Sequence, residues 1–128
     1  MQTLNPPTLF PPFARYSHGI AAPGGRIVAT SGQLGIAADG TVPDGVRAQA
    51  DLCFAAIDAI LAEAGLTRRA VIRLNAFVTD RAHMPGYMAA RDAWAADLAP
   101  PPASTLVIAV GFTRPEFLVE VEALAVAP

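Results

Sequence analysis

The order of helices and strands limits this chain to a small set of folds. Apolar residues recur at helical spacing in one long stretch, at Val46, Ala50, Cys53, Ile57, Ile60 and Leu61. We predict a first helix that begins at Asp44 or Gly45 and ends at Gly65, because glycine is the residue best suited to a left-handed helix cap. A second helix is predicted from Pro85 to about Asp97. Three consecutive prolines at positions 100 to 102 follow and prevent it from continuing.

Strand-like segments lie before, between and after the two predicted helices. The chain up to residue 14 is rich in proline and is predicted to be an extended lead-in. A short first strand over Tyr16–Ile20 is predicted to turn at Pro23-Gly24-Gly25 and return as a hairpin over Arg26–Ser31. The remaining strands are predicted over Val71–Asp80, about Ser104–Val110 and Leu118–Val126.

The resulting order, ββαβαββ, predicts an α/β (α+β) protein with a mixed sheet and both helices on one of its faces. With 128 residues the chain has room for a single domain. The last two strands are apolar at nearly every position, so the second face of the sheet is predicted to be covered as well. One layer of helices covers one face only, and we therefore expect another subunit on the other.

Charge and cysteine content exclude several classes of protein. A net charge of −2 argues against nucleic-acid binding, and the absence of lysine excludes Schiff-base chemistry on a lysine. Cys53 is the single cysteine and is predicted to be a buried structural thiol. The two histidines, His18 and His83, have no second ligand at metal-binding spacing, so no metal is expected. No leader or membrane-spanning run is evident, and a cytoplasmic protein without a membrane partner is expected.

The chain resembles the RidA/YjgF family, also called the L-PSP endoribonuclease family, from about Tyr16 to its end. The resemblance is carried by short segments in the family's order: Tyr16-Ser17-His18, Ser31-Gly32-Gln33, Gln49, Ala64-Gly65-Leu66 and Val119-Glu120-Val121-Glu122-Ala123-Leu124-Ala125. It implies a chorismate-mutase-like fold and a homotrimeric barrel with small-molecule clefts between subunits. It also implies hydrolysis of reactive enamines or imines, without a metal or an organic cofactor.

The resemblance implies roles for several residues. Glu120 matches an acid that directs water, while Tyr16 and Ser31 match positions that line the cleft. Family deaminases hold the substrate carboxylate with an arginine after a Pro-Ala pair, but here Ser104 stands at that position. We expect Ser104 and its neighbour Thr105 to bind the substrate instead.

A substitute for the missing positive charge is left open among three arginines, Arg73, Arg91 and Arg114. A second departure from the family is Met84, where an asparagine is common.

Three functions are compatible with these features. The first is hydrolysis of an enamine, an imine or a related metabolite, with Glu120 as the catalytic residue. The second is a non-catalytic trimer whose clefts bind a small molecule, because binding requires only an apolar cleft with a few polar groups. RNA cleavage, the third, is disfavoured by the acidic charge balance.

Overall fold

A computed structural model describes residues 1–12 and 14–128. The strands are β1 (Gln2–Leu4), β2 (Gly19–Ala21), β3 (Ile27–Ala29), β4 (Gln33–Leu34), β5 (Val71–Val78), β6 (Ala103–Ile108) and β7 (Val119–Val126). The helices are α1 (Val46–Glu63) and α2 (Met84–Trp94), and single 3-10 turns lie at Arg68–Ala70 and Arg81–His83. No described helix is long and apolar enough to cross a bilayer.

The main sheet has five strands in a mixed arrangement, as the sequence predicts. β7 runs antiparallel to β5, and β5 runs parallel to β6, which is the edge strand. On the other side of β7, β3 and β4 pair in succession with its two halves. Both helices pack on one face of this sheet, where their apolar residues form one core with the inward side chains of β5 and β7.

The predicted N-terminal hairpin is wrong. β2 pairs antiparallel with β1, forming a separate two-stranded sheet, whereas β3 pairs with β7. Residues 22 to 26 therefore connect two different sheets. The lead-in that we expected to be merely extended supplies β1, and the two-residue strand β4 was not foreseen. Both strands are too short to give a recognisable alternation of polar and apolar residues.

Helix α1 follows the predicted pattern closely. Its buried residues lie on one face, and Gly65 has a φ of 72° at the predicted left-handed cap. Helix α2 begins one residue before the predicted start and ends at Trp94, three residues early. The indole of Trp94 donates a hydrogen bond to the Asp58 carboxylate, which also accepts from Arg68. This network fixes the end of α2 against α1.

The face of the sheet opposite the helices is half-exposed in the single chain. Side chains of β7 alternate between buried ones, which face the helices, and half-buried ones, which face outward. Glu120, Glu122 and Leu124 belong to the half-buried set and share this outer face. Val107 of β6 is 44% exposed there. We call this face, opposite the helices, the open face. The subunit that we expect to cover it stays a prediction from the sequence.

Candidate functional site

A cavity of about 260 Å³ lies between α2 and the edge strand β6. Its walls combine apolar and polar side chains, from Ala14, Tyr16, Met84, Met88, Arg91, Ser104 and Leu106. Two of the residues predicted from sequence to bind the substrate, Tyr16 and Ser104, therefore lie at one cavity. We call it the α2–β6 cavity.

The segment before β2 is tied to the beginning of β6, which places Tyr16 at this cavity. The Ser17 amide donates to the Pro102 carbonyl at 3.3 Å, and the Ser17 hydroxyl donates to the Pro101 carbonyl at 2.6 Å. Ser17 is almost fully buried. The Tyr16 ring contacts the His18 ring edge-on, with 5.8 Å between centroids.

Among residues 1–12 and 14–128, two buried hydroxyl groups near the cavity form no regular hydrogen bond. They belong to Ser104 and to Tyr87 of α2. Burial raises the pKa of Tyr87 to about 12, although Arg91 and the nearby Ser104 hydroxyl act in the opposite direction. The phenol is therefore neutral at physiological pH and remains available as a hydrogen-bond donor.

Thr105 does not line this cavity alongside Ser104. Consecutive residues of a strand point to opposite faces of the sheet. Ser104 is in register with buried Leu74 on the helix side, whereas Thr105 is in register with Asn75 on the open face. The Thr105 hydroxyl accepts a hydrogen bond from Arg73 at 2.8 Å. Ser104 and Thr105 therefore lie on opposite faces of the sheet, and a role for both in substrate binding stays a prediction.

Glu120 lies on the open face, in register with Phe77 of β5 and Leu34 of β4. Its side chain passes directly over Gly32, so close that a Cβ at that position would lie 2.6 Å from the Glu120 carboxyl carbon. Gly32 leaves room for this carboxylate because it has no side chain. Glu120 forms no hydrogen bond or ion pair with the rest of the described chain.

Glu122, two residues along the same strand, is part of a polar row across three strands. Asn75 donates to Glu122 at 3.0 Å and accepts from Arg73 at 3.0 Å, and Arg73 in turn reaches Thr105. A cavity of about 270 Å³ adjoins this row on the side of Thr30. The hydrogen bond from Asn75 gives Glu122 a structural partner, which distinguishes it from Glu120.

Ser31 lies in the break between β3 and β4, and it is exposed. The preceding residue, Thr30, fixes this break to β7: its amide donates to the Ala123 carbonyl, and its hydroxyl accepts from the Ala123 amide, both at 2.9 Å. Ser31 and Gly32 are thereby held at the edge of β7 that bears Glu120. Ser31 thus directly precedes Gly32, the residue over which the Glu120 side chain passes.

The candidate residues form two half-sites on opposite faces of one sheet. Tyr16 and Ser104 lie on the helix side at the β6 edge, whereas Glu120 lies on the open face of β7, with Ser31 in the break between β3 and β4 beside it. The sheet itself separates the two groups within one chain. A single ligand can reach both half-sites only if they come from different copies of the chain.

Other candidate positions are structural. Cys53 is fully buried in α1, and burial raises the pKa of its thiol to about 12, which makes it a poor nucleophile. Across residues 1–12 and 14–128, no three His, Cys, Asp or Glu side chains cluster closely enough to hold a metal ion. A larger cavity of about 380 Å³ lies near Leu66 and the C-terminus. None of the residues predicted from sequence to bind or convert the substrate lines it.

Two features of the site carry only weak sequence signals. Arg91 follows Tyr87 by four residues, so both lie on the same face of α2, and Arg91 reaches the α2–β6 cavity. The sequence alone did not favour Arg91 over Arg73 or Arg114 as the substitute for the missing charge. Gly32 belongs to a segment that resembles the family, yet its close approach to Glu120 becomes visible only when β4 is paired with β7.

A mixed sheet with two helices on one face matches the YjgF/RidA fold. Residues 8–127 match the family described as Endoribonuclease L-PSP. The chain therefore belongs to the RidA/YjgF family. A comparison with curated proteins found no match.

Solved structures with the same fold include close matches over the full length. YyfB of Yersinia pestis, a Rid-family protein described as of unknown function, is 29% identical, with 98% of each chain covered and a TM-score of 0.87. The YjgF gene product of E. coli is 25% identical, with full coverage of both chains and a TM-score of 0.74. TdcF of E. coli, solved with bound serine, is 25% identical, with 97% and 94% coverage and a TM-score of 0.75.

Proposed function

We propose that this protein hydrolyses a reactive enamine, an imine or a related small metabolite in a cleft between subunits, without a cofactor. The observation that carries the proposal is the Glu120 carboxylate. It lies half-buried beside Gly32 and lacks a described protein partner, while neighbouring Glu122 is engaged by Asn75. A carboxylate without a protein partner is free to bind and orient a water molecule.

The reaction requires only proton transfer and the addition of water. An enamine first takes a proton at carbon and becomes an iminium ion, the protonated form of the imine. Glu120 then accepts a proton from water as the water oxygen bonds to the iminium carbon, giving a neutral carbinolamine. Transfer of a proton to the nitrogen and cleavage of the carbon–nitrogen bond release ammonia and leave a carbonyl product. A positioned general base typically contributes about a hundredfold to ten-thousandfold to such a step.

The ligand's size and polarity are supported by the α2–β6 cavity and by a relative. A cavity of about 260 Å³ with Tyr16 at its wall suits a small metabolite. TdcF, which shares the fold, was solved with an amino acid bound. We extend this class of ligand, a small amino-acid-derived molecule, to the present chain.

Assembly of the site from two copies makes the oligomeric state a direct test. Because Ser104 and Glu120 lie on opposite faces of a single sheet, a shared site requires a second copy. The family resemblance makes us expect a homotrimer of about 40 kDa, three times the 13.3 kDa of one chain. Light scattering on the eluate of a sizing column measures this mass. A stable monomer at micromolar concentration would contradict the cleft between subunits.

Imine hydrolysis by the purified protein tests the proposed activity. We expect the wild type to accelerate keto-acid formation from imines generated in situ by an amino-acid oxidase. Ser104→Arg should improve kcat/KM for carboxylate-bearing imines by about tenfold to a hundredfold where no other charge holds the carboxylate, and by less where one already does. The rate of keto-acid release, compared with a protein-free control, is the measurement.

The second candidate function is ligand binding without turnover. It is favoured by the position of Ser104, since the α2–β6 cavity is formed without Glu120 and lacks an arginine on β6. A wild type with no activity, activated by Ser104→Arg, would overturn the hydrolase proposal and support this alternative. Activity in both proteins would exclude a purely binding role.

A further inference from the structure

Arg91 places a buried positive charge in the wall of the α2–β6 cavity. Its side chain is only 5% exposed, and its guanidinium carbon lies 6.0 Å from the centre of the Tyr87 ring. A charged group removed from water is costly unless an opposite charge and hydrogen bonds compensate it. The question is therefore what compensates Arg91.

The compensation within the described chain comes from the adjacent residue, Asp92. Nε and Nη2 of Arg91 both donate to one carboxylate oxygen of Asp92, at 3.0 and 2.9 Å, and Nη1 takes part in neither bond. The Asp92 side chain is 44% exposed, so water screens its charge. Two nitrogens of the Arg91 guanidinium thus share a single, water-screened oxygen of Asp92. The guanidinium can therefore donate further hydrogen bonds to a second anion.

The rest of the cavity also suits a small anion with an apolar tail. Met84, Met88 and Leu106 supply apolar walls, and the buried Ser104 hydroxyl, which lies close to that of Tyr87, forms no regular hydrogen bond within the described chain. A buried hydroxyl without a regular hydrogen bond destabilises the protein, so a ligand oxygen placed within its reach is favoured. A carboxylate supplies two such oxygens.

The other two arginines considered from the sequence are engaged elsewhere. Arg73 lies on the open face, where it donates to Asn75 and Thr105. Arg114 lies between β6 and β7, where it pairs with Glu116 and stacks on Phe117 with its guanidinium carbon 4.5 Å from the ring centre. Of these three arginines, Arg91 alone lines the α2–β6 cavity.

We propose that Arg91 anchors the carboxylate of the ligand in the α2–β6 cavity, with the ligand's short apolar chain against Met84, Met88 and Leu106. This inference rests on the proposed function and assigns the residue that positions the ligand through its carboxylate. The anchor comes from α2, on the opposite side of the cavity from Ser104. Arg91 of α2 thus supplies the positive charge that family deaminases carry at the position of Ser104, and its side chain is already buried and oriented.

The test compares a carboxylate with its neutral amide. The probes are 2-oxobutyrate and 2-oxobutanamide, titrated into wild-type protein and followed by NMR chemical shifts. We expect Arg91→Met, which keeps the length of the side chain and removes its charge, to weaken 2-oxobutyrate binding at least tenfold and to leave the amide unchanged. Asp92→Asn is the matched control, because it removes the competing carboxylate and should preserve or tighten 2-oxobutyrate binding.

Equal affinity of wild type and Arg91→Met for 2-oxobutyrate would overturn the assignment, as would the absence of saturable binding to the wild type. Should Arg91→Met fail to fold, Arg91→Lys provides the second test, since it keeps the charge and loses the planar fork. It should reduce the preference for the carboxylate over the amide, and an unchanged preference would contradict the proposal. Neither probe is an imine, so binding that persists without hydrolysis would reject the proposed activity and leave the role of Arg91 intact.

Discussion

Replacement of Gly35 by alanine is expected to lower the free energy of unfolding by about 3 kcal/mol, the upper end of the usual range for overpacking. Gly35 directly follows β4 and faces the first turns of α1. A Cβ at this position would lie 2.6 Å from the Gln49 Cα and 2.7 Å from its Cγ. The clash involves the backbone of a helix, which cannot move aside as the end of a flexible side chain can.

Gln49 is also held by its own side chain, so α1 has little freedom to shift. Its amide nitrogen donates to the Pro43 and Glu116 carbonyls at 3.0 and 2.8 Å, and its amide oxygen accepts from the Leu118 amide at 2.8 Å. The residue is almost fully buried. Movement that relieves the clash would break hydrogen bonds whose buried groups then lack partners, each at a cost of about 1–3 kcal/mol.

Urea unfolding of Gly35→Ala against wild type measures the expected loss. Gly24→Ala is the matched control, because a Cβ there meets no atom within 4 Å and a change within about 0.5 kcal/mol is expected. A Gly35→Ala protein as stable as Gly24→Ala would show that β4 and α1 are less closely packed than the structure indicates. This contact matters for the site because Gln49 holds the residue that precedes β7, the strand of Glu120.

The helices were predictable because their signals are long and redundant. Six apolar positions in α1 agree on one helical face, and Gly65 marks its end. The N-terminal pairing was not predictable in the same way. A turn at Pro23-Gly24-Gly25 correctly indicates a change of direction, but local sequence cannot show that β7 offers β3 an edge almost a hundred residues away.

The site was predictable by residue but not by arrangement. Glu120 was identified as a charged residue in an apolar strand and by its resemblance to the family. That Ser104 and Thr105 would separate follows from strand alternation alone, once β6 is known to include both. The assignment of Arg91 required the tertiary structure, because only the packing of α2 beside β6 distinguishes it from Arg73 and Arg114.

Replacement of Glu120 by glutamine is expected to lower kcat for imine hydrolysis at least about a hundredfold, since an amide cannot accept the proton from water. The change is nearly isosteric, so the fold and the ligand affinity should be retained. Glu122→Gln is the matched control on the same face of the same strand. Its oxygen can still accept from Asn75, and the activity should stay within a few-fold of wild type.

Gly32→Ala independently tests whether the position of the Glu120 carboxylate matters for the rate. A Cβ at Gly32 would lie 2.6 Å from the Glu120 carboxyl carbon and 2.9 Å from its Cγ, so the side chain must rotate away while the backbone can stay in place. We expect a small change in stability and a clear loss of kcat, because a base displaced by about 1 Å can lose about a hundredfold in rate. Steady-state kinetics and thermal unfolding of the three variants separate these effects. Full activity in both Glu120→Gln and Gly32→Ala would show that another group directs the water, whereas equal losses in Glu120→Gln and Glu122→Gln would indicate that the acidic pair acts through assembly of the subunits.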